Sequence, residues 1–363
     1  MPNLHATQNQ ILFALARHVS PALSGQSFDP QYSEDQSRDG QIKNDQNRFD
    51  NNPENSNQGL LQTGQDNTQV LQDFYQSLQQ LYPLPGKPYW QARGWTLLTW
   101  QPLYLSFLTL YGLGSVPSAL GQVSQQTSEG MVSGYFLPQG PWYSLKNNAC
   151  TVPELIAFTC EKLRPMISQL QQEFEAVSGF NQAKSQRALA DQLLIILLRL
   201  ADAATELFPR FVASLPEEQH TLWGCSDMPW LHQRLRHKET VIADAALWLK
   251  ELDLPVEHYQ RIQDRSLLND QAAQTLQAAQ ALQGAQALQT AAGPGLYLER
   301  LTCCMHYRRE DGELCDNCPR LKNRRSASKS DQTCPKNSRP CNGKRNVSSP
   351  LKSPKAEHSL CLN

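Results

Sequence analysis

Four cysteines near the C-terminal end, Cys303, Cys304, Cys315 and Cys318, stand in the pattern C-C-x10-C-x2-C. This spacing constrains the chain more than any other feature. The C-x2-C half sets two sulfurs on one tight turn, and Asp311-Gly312 supplies a turn between the halves, so the segment can return and bring four thiols together. Seven of the ten cysteines lie after residue 300. In a small secreted chain such crowding suggests disulfides, whereas in a chain opening without a secretory signal it points to metal or redox chemistry. Met1-Pro2-Asn3-Leu4-His5 has no basic region, and the apolar run from Ile11 to Ala16 is too short for a signal core. The compartment expected on this ground is the cytoplasm.

Four thiolates are what a [2Fe-2S] core requires, two per iron. Zinc also takes four, but zinc ribbons usually separate their first two ligands by a few residues, and adjacent cysteines hinder tetrahedral approach to one ion. A second set, Cys315, Cys318, Cys334 and Cys341, partly imitates a zinc ribbon but runs through a stretch poor in apolar residues. Cys150, Cys160, Cys225 and Cys361 read as unligated thiols.

The rest of the chain is expected to be mostly α: a helical body with a small irregular or β segment, carrying the cysteine segment as a C-terminal module. Mean hydropathy is -0.53 although 40% of residues are hydrophobic, so globular and solvated parts are mixed. Residues 1–25 hold a short helix on the spacing of Leu4, Ile11, Leu12, Leu15 and Val19. Residues 26–69, built of Asn, Gln, Asp, Ser and Gly, are expected to form a flexible polar insertion. The helical body spans 70–295. It opens with the stripe Val70, Leu71, Phe74, Leu78 and Leu81, which closes at Pro83. A Trp/Tyr-rich segment from Tyr89 to Leu113 follows; Gln101 and Pro102 interrupt it, leaving a buried or interfacial helix too short to span a membrane. A hairpin or ordered loop fits 115–149.

Beyond it, Thr151 and Glu154 form a capping box for a helix through Phe174 in which Pro165 predicts a kink. Leu189 to Leu207 trace a second helix buried on more than one side, and a third runs from about His237 to Leu252. Residues 271–292 are an Ala/Gln-rich helix candidate ending at the Gly293-Pro294-Gly295 hinge. The cysteine module occupies 296–321. A basic tail, 322–363, is expected to be disordered; from Arg320 onward eleven Lys and Arg face two acids.

Arg300, Thr302, Cys303-Cys304, Tyr307-Arg308 and Cys315-x2-Cys318-Pro319 together resemble the C-terminal signature of the FhuF-like siderophore-iron reductases. The resemblance implies a [2Fe-2S] cluster on Cys303, Cys304, Cys315 and Cys318 and one-electron reduction of a ferric siderophore, from Fe(III) to Fe(II), in the cytoplasm. It is confined to about twenty residues. The insertion, the Ala/Gln helix and the basic tail depart from the family pattern.

His306, Arg308 and Arg309, between the cysteine pairs, are candidate contacts for an anionic ferric complex or an electron donor, with ordinary solvated charge as the competing reading. Trp90, Trp95, Trp100 and Trp142 suggest either a siderophore cleft or core, core being the commoner fate of such residues. No Walker A or dinucleotide fingerprint is present, so electrons are expected from an external donor. His232 and His237 lack the H-E-x-x-H pattern of a catalytic zinc helix. The basic tail could touch nucleic acid or anionic lipid, but it lacks interleaved aromatics and a recognisable binding fold, so a solvated tail is expected, with no nucleic-acid partner and peripheral contact with the inner membrane face as the remaining candidate. The alternative from another class is a zinc-stabilised binding protein without redox activity.

Overall fold

The computed structural model describes residues 4–28, 59–145, 150–216, 234–264, 295–315 and 317–320. The fold is mostly α, built around a helix apolar on nearly every face. The N-terminal helix α1 (Leu4–Val19) and α2 (Thr68–Leu81) precede this central α3 (Lys87–Phe107), which continues into a π-helical turn, Leu108–Gly112. Tyr89, Trp95, Leu97, Leu98, Trp100, Leu103, Leu105 and Phe107 are all buried, so α3 must be surrounded. It begins where Gly86 takes a left-handed φ of 79° and Pro88 enters the first turn, where its missing N–H costs nothing. Pro102 lies inside it.

Two long helices flank α3. The capping box opens α4 (Val152–Ser178): Glu154 N–H donates to the Thr151 hydroxyl, and Thr151 N–H donates to the Glu154 carboxylate at 2.6 Å. The helix runs through Pro165 and closes at Gly179 in the left-handed region. Asn181 then caps α5 (Gln182–Ser214). Buried polar bonds fix α3 against α5: Trp95 Nε1 donates to Ser185 O at 2.9 Å, Thr99 Oγ1 to Gln192 Oε1 at 2.7 Å, and Gln192 Nε2 to Thr96 O at 2.9 Å. The last helix, α6 (Lys238–Glu251), is held by Asp244, which pairs with Arg234 and accepts from Tyr111; Trp248 in turn donates to Tyr111.

The small β segment is more ordered than a hairpin. Strands β1 (Gly25–Phe28), β2 (Gly59–Leu61), β4 (Ser124–Ser128) and β5 (Met131–Pro138) make one sheet in the order β1-β5-β4-β2. The β1–β5 pairing is parallel and the others antiparallel. Strand β3 (Ser115–Pro117) pairs with β6 (Trp142–Ser144). Parts of the stretch expected to be flexible, 26–28 and 59–69, are therefore strand, turn and helix start. Their amides bond to protein: Asn67 Nδ2 reaches Gln62 O, Gln65 O and Glu173 Oε2, and Gly64 N–H donates to Gln169 Oε1. Polar composition marks solvation only when no backbone is at hand to accept it.

Among the described residues no helix is long and apolar enough to cross a membrane. The Ala/Gln-rich segment 271–292, the basic tail 322–363, His232, and Cys225, Cys334, Cys341 and Cys361 lie outside the described residues.

Candidate iron-sulfur site

A two-stranded ribbon leads into the cysteine segment. Strand β7 (Ile262–Asp264) follows a 3-10 turn, Val256–Arg261, and pairs antiparallel with β8 (Leu296–Leu298). Leu296 and Leu298 are buried, which anchors the strand and delivers Arg300 to the middle of α5.

There Asp191, fully buried, gathers the incoming chain. It accepts from Thr302 N–H at 2.7 Å, from the Thr302 hydroxyl, from Leu301 N–H at 3.4 Å and from His258 Nδ1 at 3.0 Å. A carboxylate only accepts, so Nδ1 of His258 carries the proton. The Arg300 guanidinium lies between this carboxylate and the sulfurs: Nε is 3.9 Å from Asp191 Oδ2, and Nη1 is 4.0 Å from Cys315 Sγ. Burial opposes the Arg300 charge, but attraction to Cys304, Cys315, Asp191 and Cys303 outweighs it and holds the pKa above the ordinary arginine value.

Two of the four thiols meet directly: the Cys304 and Cys315 sulfurs are 3.7 Å apart. Burial, with the charges of Cys318 and Cys304 behind it, raises the Cys303 pKa. Met305 turns the chain with a φ of 59°, and its N–H donates to Cys303 Sγ at 3.4 Å. A 3-10 turn, His306–Arg308, follows, and Gly312 packs so close to the His306 carbonyl that a Cβ there would sit 2.0 Å from its oxygen. The Cys315–Cys318 turn closes with Cys318 N–H donating to Cys315 O at 2.9 Å. Cys315 and Cys318 are buried, Cys303 and Cys304 partly exposed. The contact with Cys315, aided by Arg300, pulls Cys304 down to about 5, and the same contact, with burial, pushes Cys315 up.

The donor set fits an iron-sulfur group. Two thiolates on one tetrahedral metal with bonds of about 2.3 Å stand about 3.8 Å apart, close to the Cys304–Cys315 separation of 3.7 Å. Among the described residues no three His, Cys, Asp or Glu side chains group around a single ion position; a [2Fe-2S] core asks for two thiolates on each iron. Residues 300–320 match the family model of the FhuF 2Fe-2S C-terminal domain. The match lies within the cysteine module and, with the clustered thiols, supports a [2Fe-2S] cluster. No solved structure matches the chain.

The other sequence candidates fall into place around the module. Arg308 Nη1 donates to Pro85 O at 3.1 Å, and Arg309 lies 4.8 Å over the Tyr82 ring while pairing with Asp311 at 2.6 Å. Both arginines thus tether the module to the α2–α3 corner. Burial, then the Arg309 charge, pushes His306 below the ordinary histidine value, so it is neutral at pH 7. Tyr307 packs under Arg320 at 4.6 Å. Trp95, Trp100 and Trp142 are buried core, and the partly buried Trp90 donates to Tyr82 O at 2.6 Å. Cys150 and Cys160 are free thiols. Sequence reasoning missed Asp191 and His258. The signal for Asp191 was present: a carboxylate two residues before the apolar run Leu193–Leu198, in a helix whose pattern implies burial on more than one side.

Proposed function

We propose that this chain is a ferric-siderophore reductase, with Cys303, Cys304, Cys315 and Cys318 as the ligands of the [2Fe-2S] cluster. The observation that carries this reading is the gathering of the thiols, Cys304 and Cys315 in contact, beside the half-buried Arg300 guanidinium in a segment that matches the FhuF 2Fe-2S domain. When bound, the cluster supplies a store for one electron. The chain's own residues set the conditions. Arg300 offsets added negative charge, the Met305 amide holds the Cys303 sulfur, and Cys315 and Cys318 keep one side dry. Cys303 and Cys304 form the more exposed edge, where an electron would enter from an external donor and leave for the substrate.

Siderophores hold Fe(III) through hard oxygen donors, and one electron turns it into a larger, less charged ion that those donors bind weakly. Reduction is release, and the protein need supply no acid, base or nucleophile. Arg308, exposed at the rim, is the charge best placed to attract an anionic ferric complex or an acidic donor protein, with Arg309 and His306 shaping the same rim. The compartment of this reaction would be the cytoplasm, with any membrane contact peripheral and no role for nucleic acid.

Reduced protein mixed with ferric hydroxamate, catecholate and carboxylate complexes should yield Fe(II) trapped by a ferrous chelator. Failure with all three classes would overturn the reductase reading. Protein purified without oxygen that is colourless and holds zinc without sulfide would overturn the cluster and favour a zinc-stabilised binding protein.

A further inference from the structure

The four thiols are unequal in their electrostatic surroundings. Arg300, with a side chain 13% exposed, has Nη1 4.0 Å from Cys315 Sγ, and its attraction to Cys304 and Cys315 exceeds that to Cys303. Added negative charge costs least nearest a buried cation, because Coulomb energy falls with distance and burial removes screening. Behind the guanidinium, 3.9 Å from Nε, the Asp191 carboxylate opposes its field. Asp191 also fixes the chain on which Arg300 is carried, through Leu301 and Thr302. The close contact crosses the sequence: Cys304 meets Cys315 and not its neighbour Cys303, which leaves Cys303 and Cys318 to the second iron.

We propose that Cys304 and Cys315 bind one iron and Cys303 and Cys318 the other, and that the iron on Cys304 and Cys315 takes the electron because Arg300 stands beside it, with Asp191 limiting that bias. The proposal rests on the cluster reading above. In the step a one-electron donor, dithionite in the test, is oxidised; one Fe(III) becomes Fe(II), the other stays Fe(III), and no ligand bond is made or broken. Arg300 and Asp191 act as positioning residues for charge.

The full chain, reduced with dithionite, is examined by paramagnetic proton NMR, in which cysteine β-protons on Fe(II) and on Fe(III) differ in the temperature dependence of their shifts. Each signal is assigned by its loss in the matching Cys→Ser variant. Cys304 and Cys315 should sort together as Fe(II) ligands. Sorting of Cys304 with Cys303 or Cys318, or Fe(II) behaviour at Cys303 and Cys318, overturns the proposal. Midpoint potentials give a second reading: Arg300→Gln should shift negative, Arg300→Lys should recover most of the shift, and Asp191→Asn should shift positive. Unchanged potentials, or shifts of one sign in Arg300→Gln and Asp191→Asn, also overturn it. If Asp191→Asn fails to hold the cluster, the two Arg300 variants decide. A purified protein lacking iron and sulfide fails the cluster reading itself, whereas an intact cluster with the other sorting fails only this proposal.

Discussion

The helical body and the cysteine module are held by different forces. Around α3 the contacts are apolar and dense: Trp95, Leu98, Leu103, Leu105 and Phe107 are essentially without exposure, and polar bonds such as Thr99 to Gln192 only stitch helices already buried against each other. Among the described residues of the module, only Leu296, Leu298, Cys315 and Cys318 are buried, while Leu301 is exposed. Its position depends on single polar anchors: Asp191 to Thr302, Arg308 to Pro85 O, and Arg309 over Tyr82. A segment with so little apolar surface gains its order from a few charged bonds and from the group its thiols bind. The lesson is that core and redox site sit on one scaffold but respond to different insults.

Stripping iron from the protein should give the largest contrast. Amide hydrogen exchange should rise sharply across 300–320 while α3 and α5 keep their protection; equal loss in both would erase the distinction. Trp95→Ala tests the body from the other side. It removes a fully buried indole stacked on Phe174 at 6.2 Å, and should cost about 3–5 kcal/mol in denaturant unfolding.

Gly312→Ala strikes the module alone. The overlap with the His306 carbonyl should cost about 1–3 kcal/mol locally, read as lost iron with helical circular dichroism unchanged. Thr151→Ala should destabilise α4 by about 1 kcal/mol without touching the visible spectrum of the cluster. The same cap has a pH signature. Bonds from Thr151 hold the exposed Glu154 carboxyl below its ordinary value, so its stabilisation is present above the unfolded-state pKa and is lost as pH falls through the lower folded one. Glu154→Gln should flatten that part of an acid-unfolding profile. Arg309→Ala should have the smallest effect, about 0.5–1 kcal/mol, seen as slightly faster iron loss to a chelator.

Much of this arrangement was legible in residue order. The helices α2, α4, α5 and α6 follow apolar periodicity, and the Thr151–Glu154 cap was marked by spacing alone. The polar stretch around Gln26–Thr68 was misjudged at its ends, because pairing with β4 and β5 depends on strands distant in sequence. Trp95 and Trp100 proved to be core because their neighbours come from α5 and β5.

By itself the sequence determined the four-thiol set, the turn between its halves and the helical character of the body, since each depends on spacing within a few turns of chain. Only the tertiary structure decided that Cys304 meets Cys315, and that Asp191 and Arg300 set the charge beside them. Asp191 reaches Thr302 across 111 positions, and no local pattern encodes a contact that exists only once α5 and the returning strand β8 have packed together.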